Sequence, residues 1–232
     1  MQDDAWQEHE KIQETYWWHR HKREFILHLA EEQPYERVLE IGSGGGILAS
    51  RLKRRCRAIT TDLSVRHVHP GGVVAKLPEL CFKPAAFDLV ILSEVLEHLD
   101  QPVESLKTIR RILRPGGRCI ITVPAWPALW SSHDVFYGHK KRYTPNLLRS
   151  ELSESGFDIQ KKGWVFFMPL WAAFVRKFFI ADQTPKSAFV YFPAFINNAC
   201  YQYLRWIEQP FTFRMRLPLG LTYSTVAVKP NE

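Results

Sequence analysis

A chain of 232 residues is long enough for one sizeable α/β domain with an elaboration, and 46% hydrophobic and 13% aromatic content exclude a disordered chain. Four scattered cysteines, Cys56, Cys81, Cys119 and Cys200, include no C-x-x-C pair, which argues against a zinc site or a disulfide framework and fits a reducing compartment. The net charge of +7 suits an anionic partner without saying which kind.

The acidic start "MQDDAWQEHEK" does not have the form of a secretory signal, so a cytoplasmic location is expected. Residues 5–30 read as a charged, aromatic helix, the main part of a helical cap over 1–35. A core over 36–165 then alternates β-like and helical runs: "RVLEI", "ILASRLKRR", "CRAITTDL", "GVVAKL", "FDLVILSEV", "ESLKTIRRIL" and "RCIITVP". Such alternation implies a parallel sheet with helices on both faces. The basic cluster "RLKRRCR" (51–57) reads either as a helix end complementing the macrodipole or as a phosphate or lipid-headgroup patch. "RPGG" is a stop-and-turn signal, and "TPNLLRSELSESG" opens with Thr144 as N-cap and Pro145 at the first helical position, closing at Gly156. Two more strands, "FDIQKKGWV" and "LTYSTVAVK", bring the count to seven, the last within 221–232. Between them lies an aromatic-rich insertion, 166–220; the segment Trp164 to Phe213 carries 16 of the 31 aromatic residues. The chain's most apolar uncharged run, Gly163 to Val175, has 13 residues, short of the ~20 that span a bilayer.

The stretch "VLEIGSGGG" raises the question of a ligand. A dinucleotide fingerprint, G-x-G-x-x-G from Gly42, would need glycine where Ile47 stands, and no Gly-Lys-Ser/Thr follows to make a P-loop. The pattern is G-x-G-x-G, preceded by hydrophobic-Glu-hydrophobic. This, with "TTDL", "FDLVILSEVLEHL" and "RRILRPGGRCIITVP" in order over 37–124, resembles the class I S-adenosylmethionine-dependent methyltransferases, of the type 11/12-like kind. The resemblance implies a Rossmann-like, seven-stranded, mostly parallel sheet, S-adenosylmethionine as methyl donor and S-adenosylhomocysteine as product.

It also implies roles. Glu40 would meet the cofactor's amino group; Gly42, Ser43 and Gly44 would let the main chain pass beneath it, with the helix start near Gly45 helping to hold its carboxylate. Asp62 would take both ribose hydroxyls, Leu63 would pack on adenine, and Ser93 would line the sulfonium end. The family often carries an Asp after the third strand to read adenine. Val73 occupies that position here, leaving the backbone at Val74 and Leu77 for the task.

Sulfonium chemistry needs alignment and exclusion of water, plus a base where the acceptor is a hydroxyl. "SEVLEHL" resembles the E-V-x-E-H segment of quinone-biosynthesis O-methyltransferases, some of which use a divalent cation there; it reads equally as a dipole-favoured acidic helix start, and no metal is expected. The loop "LWSSHDVFYGHKKRYTP" concentrates titrating groups directly after the fifth strand. His139 and His133 are candidate bases and Asp134 a candidate orienting group, with loop ordering as the alternative. Trp17, Arg20, His98, Arg142 and Tyr143 are candidate acceptor contacts, the first two from "YWWHRHKR" near the N-terminus. The insertion "WVFFMPLWAAFVRKFF" is apolar on every side. It reads as a buried cap or oligomer interface, or as a greasy acceptor tunnel or peripheral membrane contact through 164–213, at the inner membrane face. The oligomeric state stays open.

The expected function is therefore methyl transfer to a small-molecule or lipid-linked acceptor, through oxygen. Two alternatives stand beside it. A nucleic-acid methyltransferase is disfavoured by "SEVL" where base amino-methylating enzymes show N/D-P-P-Y/F, so nucleic acid is not the expected partner. A catalytically silent cofactor-binding or scaffold protein is disfavoured by the intact "EIGSGGG" and Asp62.

Overall fold

A computed structural model describes residues 13–53, 56–63, 71–179 and 192–231. Its sheet contains β1 (Arg37–Ile41), β2 (Arg57–Asp62), β3 (Val73–Val74), β4 (Phe87–Ser93), β5 (Leu113–Pro124), β6 (Asp158–Val165) and β7 (Thr222–Val228). The order is β3-β2-β1-β4-β5-β7-β6. The first five strands pair in parallel, and β7 runs antiparallel to both β5 and β6. Among the described residues the flanking helices are α1 (Trp17–Glu31), α2 (Ile47–Leu52), α3 (Pro102–Ile112), α4 (Ser132–Tyr137), α5 (Pro145–Glu154), α6 (Phe167–Phe179), α7 (Ala194–Tyr203) and α8 (Gln209–Thr212).

Strand alternation sends neighbouring side chains to opposite faces, and a strand in mid-sheet must be apolar on both. The run "FDLVILS" of β4 obeys this. Val90 and Leu92 join one core with Leu39, Leu106, Ile109 and Leu148, whereas Leu89 and Ile91 join the other with Phe25, Leu29, Leu48 and Phe166. Helices α3 and α5 thus cover one face, α1 and α2 the other.

Three local readings needed adjustment. The helix expected over 5–30 breaks at Tyr16, whose backbone is extended (φ −69°, ψ 132°); residues 1–12 lie outside the described set. The "GVVAKL" strand shortens to Val73–Val74 at the sheet edge. "RPGG" does not separate α3 from a later strand; it lies inside β5, where the partner register on β4 skips from Phe87↔Leu113 to Leu89↔Arg118. By contrast, Thr144 Oγ1 accepts the Leu147 N–H at 3.2 Å, capping α5 as its side chain allows.

Helix α1 is fastened at both ends. Buried Arg118 of β5 donates to the carbonyls of Leu29, Ala30 and Gln33 at 3.0, 2.9 and 3.1 Å, satisfying the last turn. At the other end the Asn197 side chain of α7 accepts the Trp17 N–H at 2.8 Å and donates to the Thr15 carbonyl at 2.8 Å. Trp18 stacks on Phe166, ring centroids 3.6 Å apart. Among the described residues between β6 and β7 are α6 and, from residue 194, a helical rod in which α7 runs through a π-helical turn, Leu204–Glu208, into α8; residues 180–191 of the expected insertion lie outside the described set. The Glu208 carboxylate accepts the N–H groups of Phe167 and Met168, at 3.0 and 3.3 Å, so the rod caps the start of α6.

Candidate functional site

Strand β1 ends in the glycine turn, where Gly42, Gly44 and Gly46 have φ of 69°, 51° and 66°. That left-handed backbone strains any residue with a Cβ. At Gly42 a Cβ would also stand 2.7 Å from Val95 Cγ2. The turn is pinned to β2 by the Gly42 and Ser43 N–H groups, which donate to the Thr61 carbonyl at 2.8 and 3.2 Å. Glu40 is buried beneath it and accepts the Ala49 N–H of α2 at 2.9 Å; burial pushes its carboxyl up to about 8, against the pull of that bond. Asp62, at the end of β2, accepts the Gly44 N–H at 3.1 Å.

A cavity of about 960 Å³ opens beside this turn. Glu40, Gly42, Ser43 and Ser93 line one end, and His98, His133, His139 and Arg142 line another part of it. Trp17 of α1 contributes as well. The structure therefore joins the glycine turn and the loop after β5, a hundred residues apart, in one space. Asp62, Leu63, Val74 and Leu77 do not line it. Leu63 and Val74 are exposed, while the Leu77 side chain is packed into the core.

Asp134 organises the loop after β5. It is fully buried, and Oδ1 lies 2.8 Å from His139 Nδ1 and accepts from Arg142 Nε at 2.8 Å, while Oδ2 accepts the Ser131 N–H at 2.9 Å. Burial alone would raise its carboxyl; the bonds from His139 and Arg142 overcome this and hold it well below the usual carboxylate range. Burial instead lowers His133 to about 4, and lowers His98 with help from neighbouring His139, so both imidazoles are neutral at pH 7. Glu97 is fully buried with no hydrogen-bond partner for either carboxylate oxygen among the described residues; burial and the nearby Glu94 charge raise it far above its ordinary value. Ligand atoms of Glu97, His98 and His139 all lie within 4.8 Å of one another, a donor set of the kind that can hold a cation, and Asp134 stands behind His139.

Two residues expected against the acceptor stand elsewhere. Tyr143 is fully buried; its phenol donates to Glu151 Oε2 at 3.1 Å and lies 3.4 Å from the Leu96 carbonyl oxygen, so it fastens α5 to the turn after β4. Arg20 lies over the Tyr201 ring, 3.5 Å from its centroid, and joins α1 to α7. In their place the cavity receives Lys22 of α1, whose ammonium meets Glu94 at 2.5 Å; Arg23 also lines it and holds the Gln13 and Glu14 carbonyls. Glu94 sits at φ 56°, a conformation that costs energy in a residue with a side chain and clusters at functional sites. The letters "SEVLEH" contain Glu94, but nothing local announces either its backbone or its partner.

Comparison with known proteins decides the family. A model described as a methyltransferase domain matches residues 12–162. The chain belongs to this methyltransferase family. Similar curated proteins include ubiquinone biosynthesis O-methyltransferases of Roseobacter denitrificans, 28% identical over 64% of this chain and 72% of that one, and of Aeromonas salmonicida, 28% over 58% and 68%. Among solved structures, a Haloferax volcanii methyltransferase in complex with its Trm112 activator superposes with a TM-score of 0.63 at 19% identity, over 99% of this chain and 96% of that one. The [4+2]-cyclase SpnF also matches, with a TM-score of 0.55 at 20% identity over 90% and 82%. Likeness at that distance therefore establishes the fold alone. The methyltransferase uses S-adenosylmethionine, and the site fits that group. The left-handed turn leaves its backbone bare, the buried Ser43 Oγ has no hydrogen-bond partner among the described residues, and Glu40 presents a carboxyl at the cavity wall.

Proposed function

We propose that this methyltransferase transfers a methyl group to a hydroxyl oxygen of a small amphiphilic, lipid-linked acceptor, with His139 as general base. The observation that carries this reading is the His139 imidazole lining the cavity with Nδ1 2.8 Å from the buried Asp134 carboxylate. That bond fixes the tautomer with hydrogen on Nδ1, leaving Nε2 to take the acceptor's proton as oxygen attacks. When bound, the cofactor supplies an electrophilic methyl on a sulfonium. Glu40 would receive its ammonium; Asp62, which like Leu63, Val74 and Leu77 stands outside the main cavity, would take its ribose, with Leu63 and the backbone of Val74 and Leu77 on the adenine side. Ser93 borders the sulfonium end. His98, Arg142 through its bond to Asp134, and Trp17 shape the acceptor pocket. His133, neutral and next to Asp134, orders the loop rather than carrying charge.

The ubiquinone biosynthesis names of the curated relatives support an oxygen acceptor. An apolar acceptor is supported by Met168, Pro169, Ala172 and Ala173 of α6, which line the cavity. Such an enzyme would work on the cytoplasmic side, at the inner face of the membrane. No helix among the described residues is long and apolar enough to cross one.

The test is a methyl-transfer assay on phenolic and hydroxylated amphiphiles with His139→Ala beside the wild type. A base of this kind contributes roughly 10²–10⁴-fold, so kcat should fall by that much with cofactor affinity unchanged. Full activity in the variant would refute the assignment of His139.

A further inference from the structure

The rod from Ala194 to Thr212 carries its apolar residues on the wrong side for a helix facing water. Tyr201, Leu204, Glu208 and Thr212 are buried against the protein, as period 3.6 requires of one face. The opposite stripe, at Phe195, Ala199, Tyr203, Trp206, Ile207 and Phe211, is exposed; Phe195 is 75% and Trp206 70% accessible. Solvent-facing positions at this spacing would ordinarily be polar. A contiguous exposed run of large apolar residues marks a surface that meets something apolar.

Charge selects among occupants. Over residues 192–220 the charged side chains are Arg205, Glu208, Arg214 and Arg216. Glu208 is buried on the α6 backbone, so every exposed charge of the stretch is positive. Arg205 lies 5.6 Å from the Trp206 ring, the pairing of a cation with an aromatic that suits the boundary between headgroups and acyl chains. The same helices border the cavity. Tyr203 of the rod and Met168 and Lys177 of α6 both line it and are exposed, so the cavity mouth opens beside the apolar stripe.

We propose that this face docks on an anionic phospholipid bilayer, with Phe195, Trp206 and Phe211 entering the interface and Arg205, Arg214 and Arg216 meeting lipid phosphates. The acceptor then passes laterally from the leaflet to the cavity mouth. This names the surface through which the amphiphilic acceptor of the preceding reading arrives, and it rests on that reading for the acceptor alone.

The experiment floats the full chain with vesicles of phosphatidylcholine, alone or mixed with phosphatidylglycerol. Each surface arginine near an anionic leaflet contributes roughly fivefold, so binding to the mixed vesicles should exceed that to phosphatidylcholine by on the order of a hundredfold and collapse in high salt. Trp206→Ser/Phe211→Ser should weaken flotation at least about tenfold by removing buried interfacial area, with melting temperature and S-adenosylmethionine affinity unchanged. Absence of flotation overturns the proposal, as does flotation that the double variant leaves intact. A dimer in sedimentation that the same substitutions dissociate, without flotation, reassigns the face to a second copy of the chain. S-adenosylmethionine binding measured on the same preparation separates the two readings: its absence sinks the methyl-transfer reading whatever the vesicles show.

Discussion

If Glu40 receives the cofactor's ammonium, as proposed above, cofactor binding should be a proton-linked event. In the free protein its buried carboxyl is pushed up to about 8, so at pH 7 it is about nine-tenths protonated. Receiving the cofactor's ammonium requires the carboxylate, so binding near pH 7 should release close to one proton. Displacing that proton at pH 7 costs about 1.4 kcal/mol, one pH unit below the midpoint. A hydrogen bond to a charged group returns about 1.5–3 kcal/mol. Glu40→Gln should therefore lose between about 0 and 2 kcal/mol of cofactor affinity at pH 7. The gap should widen by about 1.4 kcal/mol, a factor of ten, by pH 9, where the proton is already gone. Comparing the two proteins cancels the cofactor's own titration. Calorimetry in two buffers of different ionisation enthalpy reads the proton count directly. The stability of the free protein moves the opposite way: its raised carboxyl holds a proton that the unfolded chain has lost, so wild-type stability falls as pH rises from about 4.5 to about 8, and the Gln variant lacks this slope. Equal proton release by wild type and variant would refute the reasoning.

Three further predictions follow from buried groups. Asp134→Asn leaves the Arg142 guanidinium buried without its counter-charge, which should cost about 3–5 kcal/mol in urea unfolding, and Asp134→Asn/Arg142→Met should recover part of it. Because the Asp134 carboxyl is held low, its stabilisation is present above its unfolded value and drains away as pH falls through the acid range; the Asn variant should lose that acid-side slope. Arg118→Met should destabilise by roughly 3 kcal/mol, since three carbonyls at the end of α1 lose a charged donor, and amide exchange should quicken over Leu29 to Gln33 first. Gly220→Ala places a Cβ 2.3 Å from the Val165 carbonyl oxygen, and the backbone shift this forces should cost about 1–3 kcal/mol, seen as a lower unfolding midpoint.

The sequence by itself determined what short-range chemistry dictates. Glycine is the residue that turns left-handed without strain, so "GSGGG" after an apolar run could be read as a bare-backbone turn, and the structure places Gly42, Gly44 and Gly46 there. Strand β4 was legible because a doubly covered strand must be apolar throughout, and α5 because Thr144 caps its own helix three residues on. The structure alone decided the pairings that span the chain. Arg20 and Lys22 sit two apart on α1, yet one reaches Tyr201 and the other Glu94. Among the polar groups of the loop, only the packing shows that Asp134 serves both His139 and Arg142, while Tyr143 turns inward to Glu151. Local conformational preference is a property of a few neighbouring residues, whereas burial and charge pairing are set by whatever the fold carries alongside, often more than a hundred residues away in the chain.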